Sequence, residues 1–266
     1  MSLTRFTSVV SAAYRLPMEQ PSAFAACVLP WLALAVAARW LGLVEGVPAL
    51  AALVLGAVAT GGFAVGWSRF AALQELPSWR DLAVRIMLFS LAYQMARMVE
   101  TFPLPFLRLA LDGFRDAEIL SLAGLQLFQL LIGSFLLVLP HIALARKSEA
   151  GGLRLQRMVL AGGLSVGLGY VMGGLPFLVM TMMWSDIAPT LPDGWPSRLG
   201  SALVETLITF AALSVASAYF AKVWMELKDV DPFADKEPAP EEPEAPTRPR
   251  RTERLNRKNK KTLRQD

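Results

Sequence analysis

The chain has 266 residues, 54% of them hydrophobic, a mean hydropathy of +0.43 and a formal net charge of +4. Only 18% of residues are charged, against about 25% in a typical soluble domain, and many of those charges fall in the last stretch, Asp229–Asp266. This composition excludes an ordinary water-soluble domain, and the single cysteine, Cys27, excludes an intramolecular disulfide.

In "LTRFTSVVSAAYRL" the residues Leu3, Phe6, Val9, Val10, Ala13 and Leu16 recur three to four apart, with Arg5 and Arg15 among them. This spacing predicts an amphipathic surface helix over residues 1–20. Pro17 and Pro21 follow, and the uncharged run Pro21–Ala38 opens a first span over about 21–43. "FAAC" at Cys27 looks like a lipoprotein box, but its apolar run follows the cysteine, so an uncleaved first span is expected.

Five further spans are expected at about 46–68, 82–107, 119–145, 158–185 and 199–224. The third is the least apolar, since "LAVRIMLFSLAYQMARMVE" carries Arg85, Arg97 and Glu100. It is counted because of the charge distribution. With six spans, Arg69, Arg80, Arg85, Arg146, Lys147, Arg154 and Arg157 share the side of both termini. The other side carries Arg39, Arg97, Arg108, Arg115 and Arg198 among a larger number of acidic residues. Basic residues collect on the cytoplasmic side. The expected fold is therefore an all-α, six-span transmembrane bundle in a bacterial inner membrane, with both termini cytoplasmic. If the third stretch did not cross, the basic connection "RKSEAGGLRLQR" would be exported. Residues 229–266, acidic and proline-rich and then basic, are expected to form a disordered cytoplasmic tail, the basic block resting on anionic lipid. The basic block holds no aromatic residue to stack on bases, so nucleic acid is not an expected partner.

Polar residues at depth are few. Arg39, Arg97, Glu100, Gln126, Gln129 and Glu205 are placed by helical rise in the leaflet away from the termini, Arg97 with Glu100 and Gln126 with Gln129 each on one helix face. Such groups join helices, which is the first reading, or line a polar pocket, which is the second. In span five, Gly163–Gly167 and Gly169–Gly173 have the four-residue spacing that lets helices approach closely, and Pro176 is expected to kink the helix. Trp67 and Trp79 suit an interfacial aromatic belt, with Arg69 fixing orientation.

Two patterns invite chemistry. "GLSVG" matches G-x-S-x-G at Ser165, with His141 at a compatible depth, but that motif works on a strained strand-to-helix elbow and not inside a helix. Met95, Met98, Met180, Met182 and Met183 resemble a Cu(I) set, yet no histidine or cysteine lies beside them, and methionine also fills irregular packing. The sequence contains no P-loop, H-E-x-x-H or cysteine pair. The expectation is thus no catalytic residues, no metal and no cofactor.

"FAVGWSRFAALQELPSW", with Trp67, Arg69, Leu73 and Glu75 in a W-x-R-x-x-x-L-x-E pattern, and "FLLVLPHIALARKSEAGGLRLQRMV" resemble segments of uncharacterised alphaproteobacterial multi-pass inner-membrane proteins. The same stretches are loosely similar to the membrane domain attached to some glycerophosphodiester phosphodiesterases. That domain is not the catalytic part, so the resemblance implies no active-site residues. The expected role is non-catalytic: an accessory, scaffold or envelope-maintenance protein with a membrane-protein partner and lipids around it. A transporter or permease for a small or lipidic solute, using the polar cluster, is the alternative. An intramembrane serine hydrolase at Ser165 comes third.

Overall fold

A computed structural model describes residues 3–42, 48–76, 79–114, 116–145, 152–192 and 194–228. These lie in one compact unit, residues 1–230. The expectations for the tail, for the Trp79 side chain and for the connection 146–151 fall outside the described residues.

Among the described residues the fold is all helical. The helices are α1 (Leu3–Glu19), α2 (Pro21–Leu41), α3 (Ala49–Leu73), α4 (Trp79–Thr101), α5 (Pro103–Ala110), α6 (Ala117–Ile132), α7 (Val138–Leu144), α8 (Gly152–Ile187) and α9 (Trp195–Leu227). A 3-10 stretch, Gly133–Leu137, joins α6 to α7. Six segments are long and apolar enough to cross a membrane: Pro21–Leu41, Ala49–Leu73, Leu82–Ala110, Ala117–Leu144, Leu153–Thr190 and Trp195–Leu227. The chain is a multi-pass membrane protein. Its outward faces are rich in large apolar side chains such as Leu53, Met87, Leu127 and Val179, as expected where the solvent is lipid.

α1 is the amphipathic helix that its periodicity predicts, and protein covers its apolar face. Val9, Ala13 and Leu16 are buried, and α1 packs on α8, α9 and α2. The Tyr14 hydroxyl donates to the Gly173 carbonyl at 2.6 Å, and its ring stacks on Phe177 with centroids 6.0 Å apart. The charged and small polar side chains Ser8, Ser11 and Arg15 stay exposed.

Trp67 corrects the interfacial assignment. It is 0% exposed, its indole N–H donates to the Ser214 carbonyl at 3.0 Å, and its ring meets Phe24 and Phe70 at 5.0 and 5.5 Å. α3 continues one and a half turns past the expected end of its span, to Leu73, so Trp67 sits inside the bundle and not at its edge.

Arg85 of the third span and Arg69 of the second both reach backbone carbonyls. Arg85 donates to the carbonyls of Ile142, Ala143 and Ala145 at 3.1, 3.0 and 2.7 Å. Arg69 reaches the Ala143 carbonyl at 3.4 Å and the Glu75 carboxylate at 2.7 Å. The last carbonyls of a helix have no intrahelical partner and carry partial negative charge, so two guanidinium groups cap α7. The same contacts explain the W-x-R-x-x-x-L-x-E segment, whose Trp67, Arg69 and Glu75 all serve packing.

The four glycines singled out in span five separate into three roles. A Cβ on Gly167 would run into the Leu130 carbonyl, and one on Gly133 into the Gly167 Cα, so α8 meets the end of α6 backbone to backbone. Gly169 lies against the Tyr219 ring, whereas a Cβ on Gly173 would make only ordinary contacts. Gly163 is not a packing glycine. With φ 50° and ψ −150° it breaks α8, and nothing lies within 4 Å of its Cβ direction. The helical backbone runs on through Pro176, so the break falls at the residue without a Cβ and not at the proline. α3 holds a close approach that the spacing in span five does not point to: Gly61 faces Ser90 and Gly62 faces the Trp31 ring.

Gly167→Ala should destabilise the purified protein by about 1–3 kcal/mol, the usual cost of overpacking. Gly200→Ala, where nothing lies within 4 Å, should leave the melting temperature in detergent unchanged or raise it. Equal melting of the two variants would contradict the close approach of α8 and α6.

Candidate functional site

A cavity of about 320 Å³ lies among α4, α6, α8 and α9, with Val10 of α1 and Ser68 of α3 also on its wall. Arg97 and Glu100 from α4, Gln126 and Gln129 from α6, Tyr170 from α8 and Thr209 from α9 supply polar lining. Phe89, Leu136, Phe177 and Phe220 supply apolar wall.

Glu100 is the deepest charge, its side chain 3% exposed. Burying a carboxylate costs several kcal/mol unless it is paired and hydrogen-bonded. Here the Tyr170 hydroxyl donates to Oε1 at 2.8 Å, and Arg97 Nη1 stands 3.6 Å from Oε2, an ion pair across one helical turn that is too long for a hydrogen bond. The Tyr170 ring is itself held against Phe220, centroids 5.3 Å apart. The Arg97 side chain is half exposed. Beyond Glu100 it has no ion-pair or hydrogen-bond partner among the described residues, and Gln126 and Gln129 make no side-chain hydrogen bond among them. The free groups on this wall are therefore mainly N–H donors.

Arg39 and Glu205 form a separate pair with each other, their side chains 41% and 42% exposed. Ser201 donates to Glu205 at 3.3 Å, and Arg39 Nη2 donates to the Thr209 hydroxyl at 3.2 Å. Thr209 lines the cavity while Arg39 and Glu205 do not, so this pair marks its rim. Of the six polar residues read from the sequence, four share one cavity and two stand beside it. At 1.5 Å per residue Glu100 lies about 27 Å from Leu82 along α4, one residue before the helix ends at Thr101. The cavity wall also runs from Thr181 on α8 to Pro140 on α7. Glu100 thus sits at the far end of α4 from Leu82, and the cavity that it lines extends along the bundle as far as Pro140.

Tyr170 and Tyr93 were not among the expected residues. An uncharged tyrosine gives no sign of depth in a hydropathy profile, and only the carboxylate that must be satisfied nearby points to one. Ser165 donates to the Gly162 carbonyl at 2.6 Å, beside the break at Gly163. The break removes regular helical geometry at this turn, and the serine hydroxyl bonds back to its own helix. Trp224 donates to His141 Nδ1 at 3.4 Å.

Comparison with family models, curated proteins and solved structures yields no match. The reading of this site rests on its own geometry.

Tyr170→Phe removes the hydroxyl that donates to Glu100 Oε1 and should cost roughly 1–3 kcal/mol of stability, the penalty for an under-satisfied buried acceptor. Glu100→Gln should cost less in the Tyr170→Phe background than in the wild type. A double-mutant cycle on thermal unfolding in detergent checks this, and strict additivity would show that the two side chains do not interact.

Proposed function

We propose that this multi-pass membrane protein binds a polar group in its central cavity, in the manner of a permease or transporter. The observation that carries the reading is the set of N–H donors on Arg97, Gln126 and Gln129 that make no hydrogen bond among the described residues, around a space of about 320 Å³. Helix-joining polar groups are normally spent on each other. Gln126 and Gln129 face a volume instead, Arg97 lines it while paired with Glu100, and ionisable groups in membrane segments mark solute pathways when they face a cavity.

A non-catalytic accessory or scaffold role is the second reading. It is favoured by the Arg39–Glu205 pair and by the Arg69 and Arg85 caps, which are used up in joining helices. For both readings we place the protein in a bacterial inner membrane with its termini cytoplasmic, because Lys and Arg gather on the terminal side.

Two cysteine measurements in a Cys27→Ser background test these proposals. Asp112→Cys should label in intact cells with an impermeant maleimide while Gln156→Cys should not; the reverse pattern would invert the topology. Ala212→Cys, on the cavity wall, should react with a small charged methanethiosulfonate reagent. If Asp112→Cys reacts and Ala212→Cys does not, the cavity is closed to solutes and the accessory role stands.

A further inference from the structure

α8 and α9 diverge beyond the central cavity and leave a second concavity of about 550 Å³ between them, lined by Met180, Met183, Trp184, Val204, Leu207 and Ile208 among others. Every one of its lining residues is apolar except at one atom. The Trp184 indole N–H is buried and has no acceptor among the described residues. Met180, Met183 and Leu207 are exposed on the lipid-facing side. Ile208 belongs to the walls of both the groove and the polar cavity, and Thr209, the next residue, lines the cavity. A donor-rich chamber and an apolar groove open to hydrocarbon therefore adjoin at Ile208.

This juxtaposition matches the two halves of an amphiphile. A phosphate-bearing headgroup pays heavily for entering hydrocarbon, but in the cavity it meets the Arg97 guanidinium and two primary amides, the donor chemistry that suits phosphate oxygens. Glu100 does not oppose it as a free charge, because Tyr170 donates to one carboxylate oxygen and Arg97 faces the other. The acyl chain meanwhile exchanges one apolar surrounding for another in the groove. We infer that the ligand is a membrane lipid with an anionic phosphate headgroup, its headgroup in the Arg97–Gln126–Gln129 cavity and an acyl chain in the α8–α9 groove. This rests on the solute-binding reading above and narrows it from any polar solute to a lipid.

The test uses the full chain reconstituted in phosphatidylcholine vesicles doped with brominated-chain phosphatidylglycerol, with brominated-chain phosphatidylcholine as the comparison. Bromine quenches nearby tryptophan, and subtracting the signal of Trp184→Phe isolates the groove. Phosphatidylglycerol should quench Trp184 at lower mole fraction than phosphatidylcholine does. Arg97→Gln should raise the required fraction about tenfold, the loss of one charge-assisted hydrogen bond. Gln126→Leu should raise it by less, and serves if Arg97→Gln is not monodisperse. Equal quenching by the two lipids, unchanged by either substitution, overturns the inference. If glycerol 3-phosphate then still protects Ala212→Cys from the charged reagent, the cavity binds a free phosphate ester, and the solute reading survives without the lipid. If Ala212→Cys is unreactive as well, both fall.

Discussion

Inside a membrane no water is at hand to satisfy a buried side-chain donor, and this constraint governs where the polar side chains of this protein go. Tyr14 donates to the carbonyl of Gly173, Trp67 to that of Ser214, Tyr219 to that of Val166, and Arg154 to that of Lys228. Arg69 and Arg85 together close the end of α7. Each bond joins residues distant in sequence, so the requirement to satisfy one helix becomes a tie to another. The third span shows the trade most clearly. Arg85 helps to make it a poor membrane segment by hydropathy, yet the same Arg85 donates to the carbonyls of Ile142, Ala143 and Ala145 where the fourth span ends.

Glu100 is the exception that gives the bundle its polar centre. It is an acceptor and not a donor, so no backbone carbonyl can satisfy it. Tyr170 and Arg97 are drawn to it, and the volume they leave unfilled is the cavity. The ion pair at the rim, Arg39 with Glu205, reaches the same chamber only through Thr209.

The spans were legible because uncharged runs of sufficient length have one solution in lipid, and the charge asymmetry decided the ambiguous third one. The candidate site was legible in part. Depth along each helix brought Arg97, Glu100, Gln126 and Gln129 into one neighbourhood, but helical rise alone does not say which way a side chain turns, so Arg39 and Glu205 were grouped with them. Trp67 reads identically as a belt residue or a core residue when the end of its helix is uncertain by a turn. Glycine spacing likewise cannot separate Gly167, pressed against Leu130, from Gly163, where the helix breaks. The first depends on a neighbour far away in sequence, the second on backbone angles that only glycine adopts readily.

The break at Gly163 and the tight contact at Gly167 lie one helical turn apart, so α8 is pinned close to where its regular backbone begins. From Gly167 the helix runs past Tyr170 to Trp184, about 25 Å away at 1.5 Å per residue. Over that length an angular difference of about 5° at the pinned end displaces the far end by roughly 2 Å while hardly moving Tyr170. The backbone contact with Gly133 thus aligns Tyr170 with Glu100 more tightly than it aligns Trp184 with α9.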